Sequence, residues 1–106
     1  MSHLTTHILD SVAGAPAADV EAVLARADGT EIDRGRTDSD GRLALGPEHL
    51  PDGAYLLRFE TGRYFADTGQ ESFHPFVTIA FTVAGLPHYH VPLLLSPFSY
   101  TTYRGS

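Results

Sequence analysis

The chain has 106 residues, enough for one core and not for two, since folding at this size removes roughly 65% of the extended chain's surface from water. Its balance is globular, 42% hydrophobic and 19% charged, and 7 Lys+Arg against 13 Asp+Glu leave a net charge of −6, which argues against nucleic acid and anionic membrane surfaces as partners. The absence of cysteine excludes disulfides, thiolate zinc sites and a thiol nucleophile.

Turn-forming clusters recur at short intervals: Gly14-Ala15-Pro16, Asp28-Gly29, Asp38-Ser39-Asp40-Gly41, Pro51-Asp52-Gly53 and Gly85-Leu86-Pro87. Short runs between such clusters predict an all-β sandwich or barrel, read as a single domain over residues 1–106. Residues 4–9 form the first strand, with Thr5, His7 and Leu9 on one face and Thr6 and Ile8 on the other. In residues 19–27, Val20, Val23, Leu24 and Ala27 have helical spacing. The all-β setting and the turn behind them favour a strand. Residues 54–60 are a strand, and 63–70 hold a short helical turn. Residues 76–83 give the clearest alternation, Val77, Ile79, Phe81 and Val83 opposite Phe76, Thr78, Ala80 and Thr82. Strands at 88–95 and 100–104 follow, joined by a hairpin turn at 96–99. No apolar run approaches the ~20 residues that span a bilayer. The start MSHLTTHILD shows no export signal, so the expectation is a soluble cytoplasmic protein.

Six histidines dominate the candidate chemistry, because imidazole exchanges protons near neutral pH. His88 and His90 are two apart on a strand and share a face, a spacing that suits a metal pair, a proton-handling pair or merely two half-exposed residues. His7 belongs to an unusual Thr/His/Leu face. His3, His49 and His74 have no companion pattern and read as solvent or turn residues. Arg42, after the Asp-Gly turn, is a solvated arginine or an anion clamp with a fixed fork of donors. The chain ends in an aromatic, strand-like run, which would bring a carboxylate, an arginine and a tyrosine hydroxyl together if ordered.

Several segments together resemble the transthyretin-like family of 5-hydroxyisourate hydrolases. They are Leu4-Thr5-Thr6-His7-Ile8-Leu9-Asp10, Gly14-Ala15-Pro16-Ala17, Thr37-Asp38-Ser39-Asp40-Gly41-Arg42, the HYHVPLLLSP stretch at 88–97, and the closing Tyr103-Arg104-Gly105-Ser106. The resemblance implies a transthyretin-like two-sheet antiparallel sandwich of about eight strands with one short helix. It implies hydrolysis of 5-hydroxyisourate without cofactor or metal, in a homotetramer built as a dimer of dimers. By motif it assigns catalytic roles to His7, Arg42, His90 and Ser106, and substrate contacts to His88, Tyr103, Arg104 and Gly105. Two other readings compete with it. One is a non-catalytic carrier of a small hydrophobic ligand. The other is a metallohydrolase using His7, His88 and His90, which lacks an obvious acidic fourth ligand.

Overall fold

The computed structural model describes residues 2–106. In chain order it contains β1 (Leu4–Asp10), β2 (Ala15–Pro16), β3 (Glu21–Arg26), β4 (Glu31–Arg36), β5 (Arg42–Leu45), β6 (Gly53–Phe59), α1 (Thr61–Asp67), β7 (Val77–Val83), β8 (Tyr89–Leu95) and β9 (Tyr100–Thr102). One sheet runs β2-β1-β8-β9, with β5 also paired to β1, and the other runs β4-β3-β6-β7. The expected sandwich with one short helix is present. All strand pairings are antiparallel except β1 with β8, which is parallel. The strand count exceeds the expected eight by the two-residue β2.

Local sequence explains most of these elements. In β7, Val77 and Val83 are buried, Ile79 and Phe81 half-buried, and Thr78, Ala80 and Thr82 exposed, following the predicted alternation. The helical spacing in 19–27 does not produce a helix. Val20, Ala22 and Leu24 are buried at period two, and β3 is paired on both edges, to β4 and β6. Two neighbours supply that strand with ladder hydrogen bonds, which outweighs a weak local propensity. Helix α1 begins at Thr61, two residues before the expected turn.

Strands β1 and β8 supply much of the core. Leu4 and Ile8 from β1 and Tyr89, Val91, Leu93 and Leu95 from β8 are buried against Leu24, Leu57 and Phe59 of the facing sheet. The buried polar groups of β1 are satisfied. Thr6 Oγ1 donates to the Val91 carbonyl at 2.6 Å. The Asp10 carboxylate accepts from the backbone N–H groups of Val12 and Ala13 and from the Tyr64 hydroxyl at 2.7 Å. That contact ties α1 to the end of β1. Burial, the bond to Asp10 and the nearby carboxylate push the Tyr64 phenol up to about 12.

His3 corrects the sequence reading, for it is 2% exposed and not a solvent residue. Its Nε2–H donates to the Leu86 carbonyl at 2.7 Å, and Nδ1 accepts from the Leu50 N–H at 2.7 Å. A neutral ring with its proton on Nε2 satisfies both partners. The ring also stacks on His49 at 5.5 Å and pins two distant loops to the start of β1. Replacing it by Phe keeps an aromatic and orphans two backbone groups, at about 1–3 kcal/mol for each one left buried. We expect His3→Phe to lower the urea midpoint with an unchanged slope, measured by equilibrium denaturation.

Candidate active site

The outer faces of β1, β5 and β8 carry the chemistry. Thr5 and His7 alternate with the buried residues of β1. Register fixes their neighbours: Thr5 stands beside His90 of β8, and His7 stands beside Arg42 of β5. Arg42 is placed by the turn before it. The Asp38 carboxylate accepts from the backbone N–H groups of Asp40 and Arg42 at 2.9 and 3.0 Å. These bonds hold that carboxyl below its ordinary range, the bond to Arg42 most of all. Gly41 has φ +73°, and a Cβ there would lie 2.4 Å from the Ile8 carbonyl oxygen. Only glycine passes this close to β1 in that conformation.

A cavity of about 590 Å³ opens on this face, lined among others by Thr5, Arg36, Arg42, His88, His90 and Ser106. Among the described residues the Arg42 guanidinium makes no hydrogen bond or ion pair, so its donors remain available to an anion. His7 is adjacent on the same face. Its Nε2–H donates to the Asp40 carbonyl at 2.9 Å, which leaves Nδ1 as the nitrogen able to take a proton when the ring is neutral. His90 Nδ1 is 2.8 Å from Thr5 Oγ1, and its Nε2 has no hydrogen-bond partner among the described residues. Burial lowers the His90 pKa from the ordinary imidazole value, and the positive charge of Arg42, His88 and His7 lowers it further. A histidine so placed is neutral at pH 7 and can act as a base.

The tail is ordered across this site. The Gly105 N–H donates to the His90 carbonyl at 2.9 Å, and the two residues form a β-bridge. Strand β9 itself stops at Thr102, short of the expected 104. Ser106 therefore reaches the histidine cavity, whereas Tyr103 and Arg104 line a neighbouring hollow of about 250 Å³ with Phe81, Tyr89 and Val91. His90 borders both. The sequence reading did not single out Thr5 or Arg36 as site residues. Thr5 had a usable signal, its place two residues before His7 on the same face. Arg36 had none, because it reaches the cavity from the other sheet.

This geometry can hold a planar anion against Arg42 and present a neutral imidazole to a water. A model of the HIUase/Transthyretin family matches residues 4–105. The 5-hydroxyisourate hydrolase of Caulobacter vibrioides is 46% identical, with 100% of each chain covered. The solved 5-hydroxyisourate hydrolase of Klebsiella pneumoniae superposes with a TM-score of 0.92 at 40% identity, covering 99% of this chain and 100% of that one. Transthyretin from Sparus aurata superposes with a TM-score of 0.90 at 35% identity, covering 99% and 97%.

Gly105 gives a direct test of the tail's role. A Cβ at this position would stand 2.6 Å from His90 Cδ2 and 3.1 Å from Pro92 Cγ. Either the imidazole or the tail must move. We expect Gly105→Ala to keep a melting temperature near the parent's, because few buried apolar atoms change. Turnover should fall by about tenfold or more, since misplacing a reacting group by ~1 Å can cost 10²-fold.

Proposed function

The chain belongs to the HIUase/transthyretin family, and we propose that it works there as a 5-hydroxyisourate hydrolase. It opens the ring amide of that compound to give 2-oxo-4-hydroxy-4-carboxy-5-ureidoimidazoline, a step of urate (purine) degradation. The observation that carries the reading is the meeting of His90, Arg42 and Ser106 in one cavity. It is supported by the Caulobacter vibrioides relative named for this activity, which matches over its full length.

Hydrolysis of a ring amide needs a water made nucleophilic, charge stabilisation for the tetrahedral intermediate and an acid for the departing nitrogen. We assign the base to His90, whose neutral form its surroundings favour. The Nε2 lone pair takes a proton from water as the oxygen bonds to the carbonyl carbon, and the proton then passes to the ring nitrogen as the C–N bond breaks. His7 is the second acid–base group of the face. Positioned groups of this kind typically contribute ~10²–10⁴-fold. Arg42 binds the anionic substrate and offsets charge on the intermediate. Ser106 closes the wall beside them and His88 adds a substrate contact, whereas Tyr103 and Arg104 stand around the neighbouring hollow and Gly105 holds the tail to His90.

The proposal includes a homotetramer and a cytoplasmic location. Exposed Phe73, Phe98, Tyr100 and Tyr103, with the open edges of β7 and β9, support association, because unpaired strand edges favour pairing with another chain. On location, no helix among the described residues is long and apolar enough to cross a membrane.

Freshly generated 5-hydroxyisourate, followed by absorbance, tests the activity directly. The acid limb of kcat/KM reports the base. Its folded pKa is lowered, so the base stays neutral until the pH drops beneath the ordinary imidazole value of about 6.5. We expect activity to be flat at neutral pH and to fall through a midpoint below about 6.5, with His90→Asn abolishing that limb along with most turnover.

Arg42→Lys separates charge from geometry. Lys keeps the positive charge and loses the planar fork. We expect kcat/KM to fall by roughly tenfold or more at an unchanged melting temperature. Wild-type kinetics in this variant would remove Arg42 from the site.

A further inference from the structure

Thr5 is in direct contact with His90 of β8 and with His88, which stands just before that strand. Its Oγ1 is 2.9 Å from His88 Nε2 and 2.8 Å from His90 Nδ1, and the two rings lie nearly parallel, 6.5 Å apart with 20° between their planes. A hydroxyl has one proton to give and lone pairs to receive with. Between two neutral imidazoles it therefore donates to one ring and accepts from the other.

Two arrangements satisfy that rule. In the first, Thr5 donates to His90 Nδ1, and the His90 proton sits on Nε2. That removes the lone pair a base needs at Nε2. In the second, His90 Nδ1–H donates to Thr5, and Thr5 donates to His88 Nε2. The remaining proton is then on His88 Nδ1, in an exposed ring where water receives it. Both arrangements satisfy the hydrogen bonds, and the second alone keeps the Nε2 lone pair that the hydrolase reading requires.

We infer that Thr5 is a positioning residue, which holds His90 in the Nδ1–H tautomer and keeps its Nε2 bare for the proton of water. Its catalytic consequence rests on the hydrolase reading. The same hydroxyl couples the two rings. A protonated His88 donates from Nε2 to Thr5, turns the Thr5 proton onto His90 Nδ1 and drives the His90 proton to Nε2, where it blocks the base. The other charged and titratable groups around His90 are Arg36, Asp38, Arg42 and His7 on the cavity side and Tyr89, Tyr103 and Arg104 around the neighbouring hollow. They alter the charge on the ring, but among the described residues only Thr5 bonds to its Nδ1.

Nitrogen NMR of ¹⁵N-histidine-labelled protein at about pH 8, where an ordinary imidazole is neutral, reads the tautomer without any assay. The expected result is a proton on His90 Nδ1 in the wild type and in Thr5→Ser, and a mixed population in Thr5→Val, which keeps the β-branched shape and loses the hydroxyl. In parallel, Thr5→Val should lower kcat by about tenfold or more with KM within about twofold, as expected when the group orienting a working imidazole is lost, and Thr5→Ser should restore most of it. A wild-type His90 protonated on Nε2, or a Thr5→Val variant with wild-type kcat, overturns the inference. The wild-type spectrum decides even if Thr5→Val fails to fold. A wild type with the Nδ1–H tautomer and no turnover of 5-hydroxyisourate overturns the hydrolase reading and leaves the tautomer assignment standing.

Discussion

A strand paired along both edges and buried on one face has no freedom of register, and β1 is such a strand. On one side it runs parallel to β8. On the other, β5 pairs with residues 4–7 and β2 with residues 9 and 10. Gly41 fills the gap between these two partners, accepting from the Ile8 N–H at 2.8 Å. Slipping β1 by one residue would turn Leu4 and Ile8 outward and drive Thr5 and His7 into the core. It would also strip Thr6 and Asp10 of the partners that make their burial tolerable. The core thus holds the register, and the register sets Thr5 beside His90 and His7 beside Arg42. The arrangement of the candidate site on the outer face is a by-product of packing on the inner one.

What was legible in the sequence follows from the range of the interactions involved. Strand alternation is local, so the faces of β1 and β7 could be read directly, as could the closeness of the His88 and His90 rings, although β8 begins at Tyr89 and not at the expected 88. The helical spacing at 19–27 was ambiguous because Val23 and Ala27 fall on it by coincidence, and only the two flanking strands resolve it. His3 carried no local signal at all. Its partners Leu50 and Leu86 lie 47 and 83 residues away, and nothing in MSHLTT marks a buried imidazole. The parallel pairing of β1 with β8 is equally remote, and the role of Thr5 depends on it. The tail was read as a motif, but its division between two hollows required the Gly105 bridge.

The fold alone does not choose between catalysis and carriage, since a transthyretin and a hydrolase superpose on this chain almost equally well. The difference must lie in the side chains of one sheet face. A carrier of an apolar ligand needs a dry, neutral wall. This face instead gathers two imidazoles, two guanidinium groups and the Asp38 carboxylate around a cavity of about 590 Å³, with His7 beside Arg42 on the same face. Such a concentration of titratable groups is costly to hold together, because the positive charges of Arg42, His88 and His7 each disfavour protonation of His90. That mutual opposition is useful to a base that must stay neutral, and it serves no purpose in carriage.

The same grouping answers the difficulty posed by an acidic protein with an anionic substrate. The net charge of −6 is spread over the surface, and at physiological ionic strength its field fades beyond ~8 Å. A single guanidinium in contact acts at much shorter range, with an attraction of about 4 kcal/mol for unit charges ~4 Å apart at an effective dielectric near 20. The two arginines of the cavity do not contribute alike. Arg36 is drawn toward Asp19 and Glu21, at 3.6 and 3.8 Å, and part of its field is cancelled there. Asp38 is occupied by backbone donors of its own turn, so its charge acts on Arg42 without taking up the hydrogen-bond donors of the fork. A turn carboxylate that binds backbone N–H groups instead of the neighbouring guanidinium is therefore what leaves the Arg42 donors available to an anion in an otherwise acidic molecule.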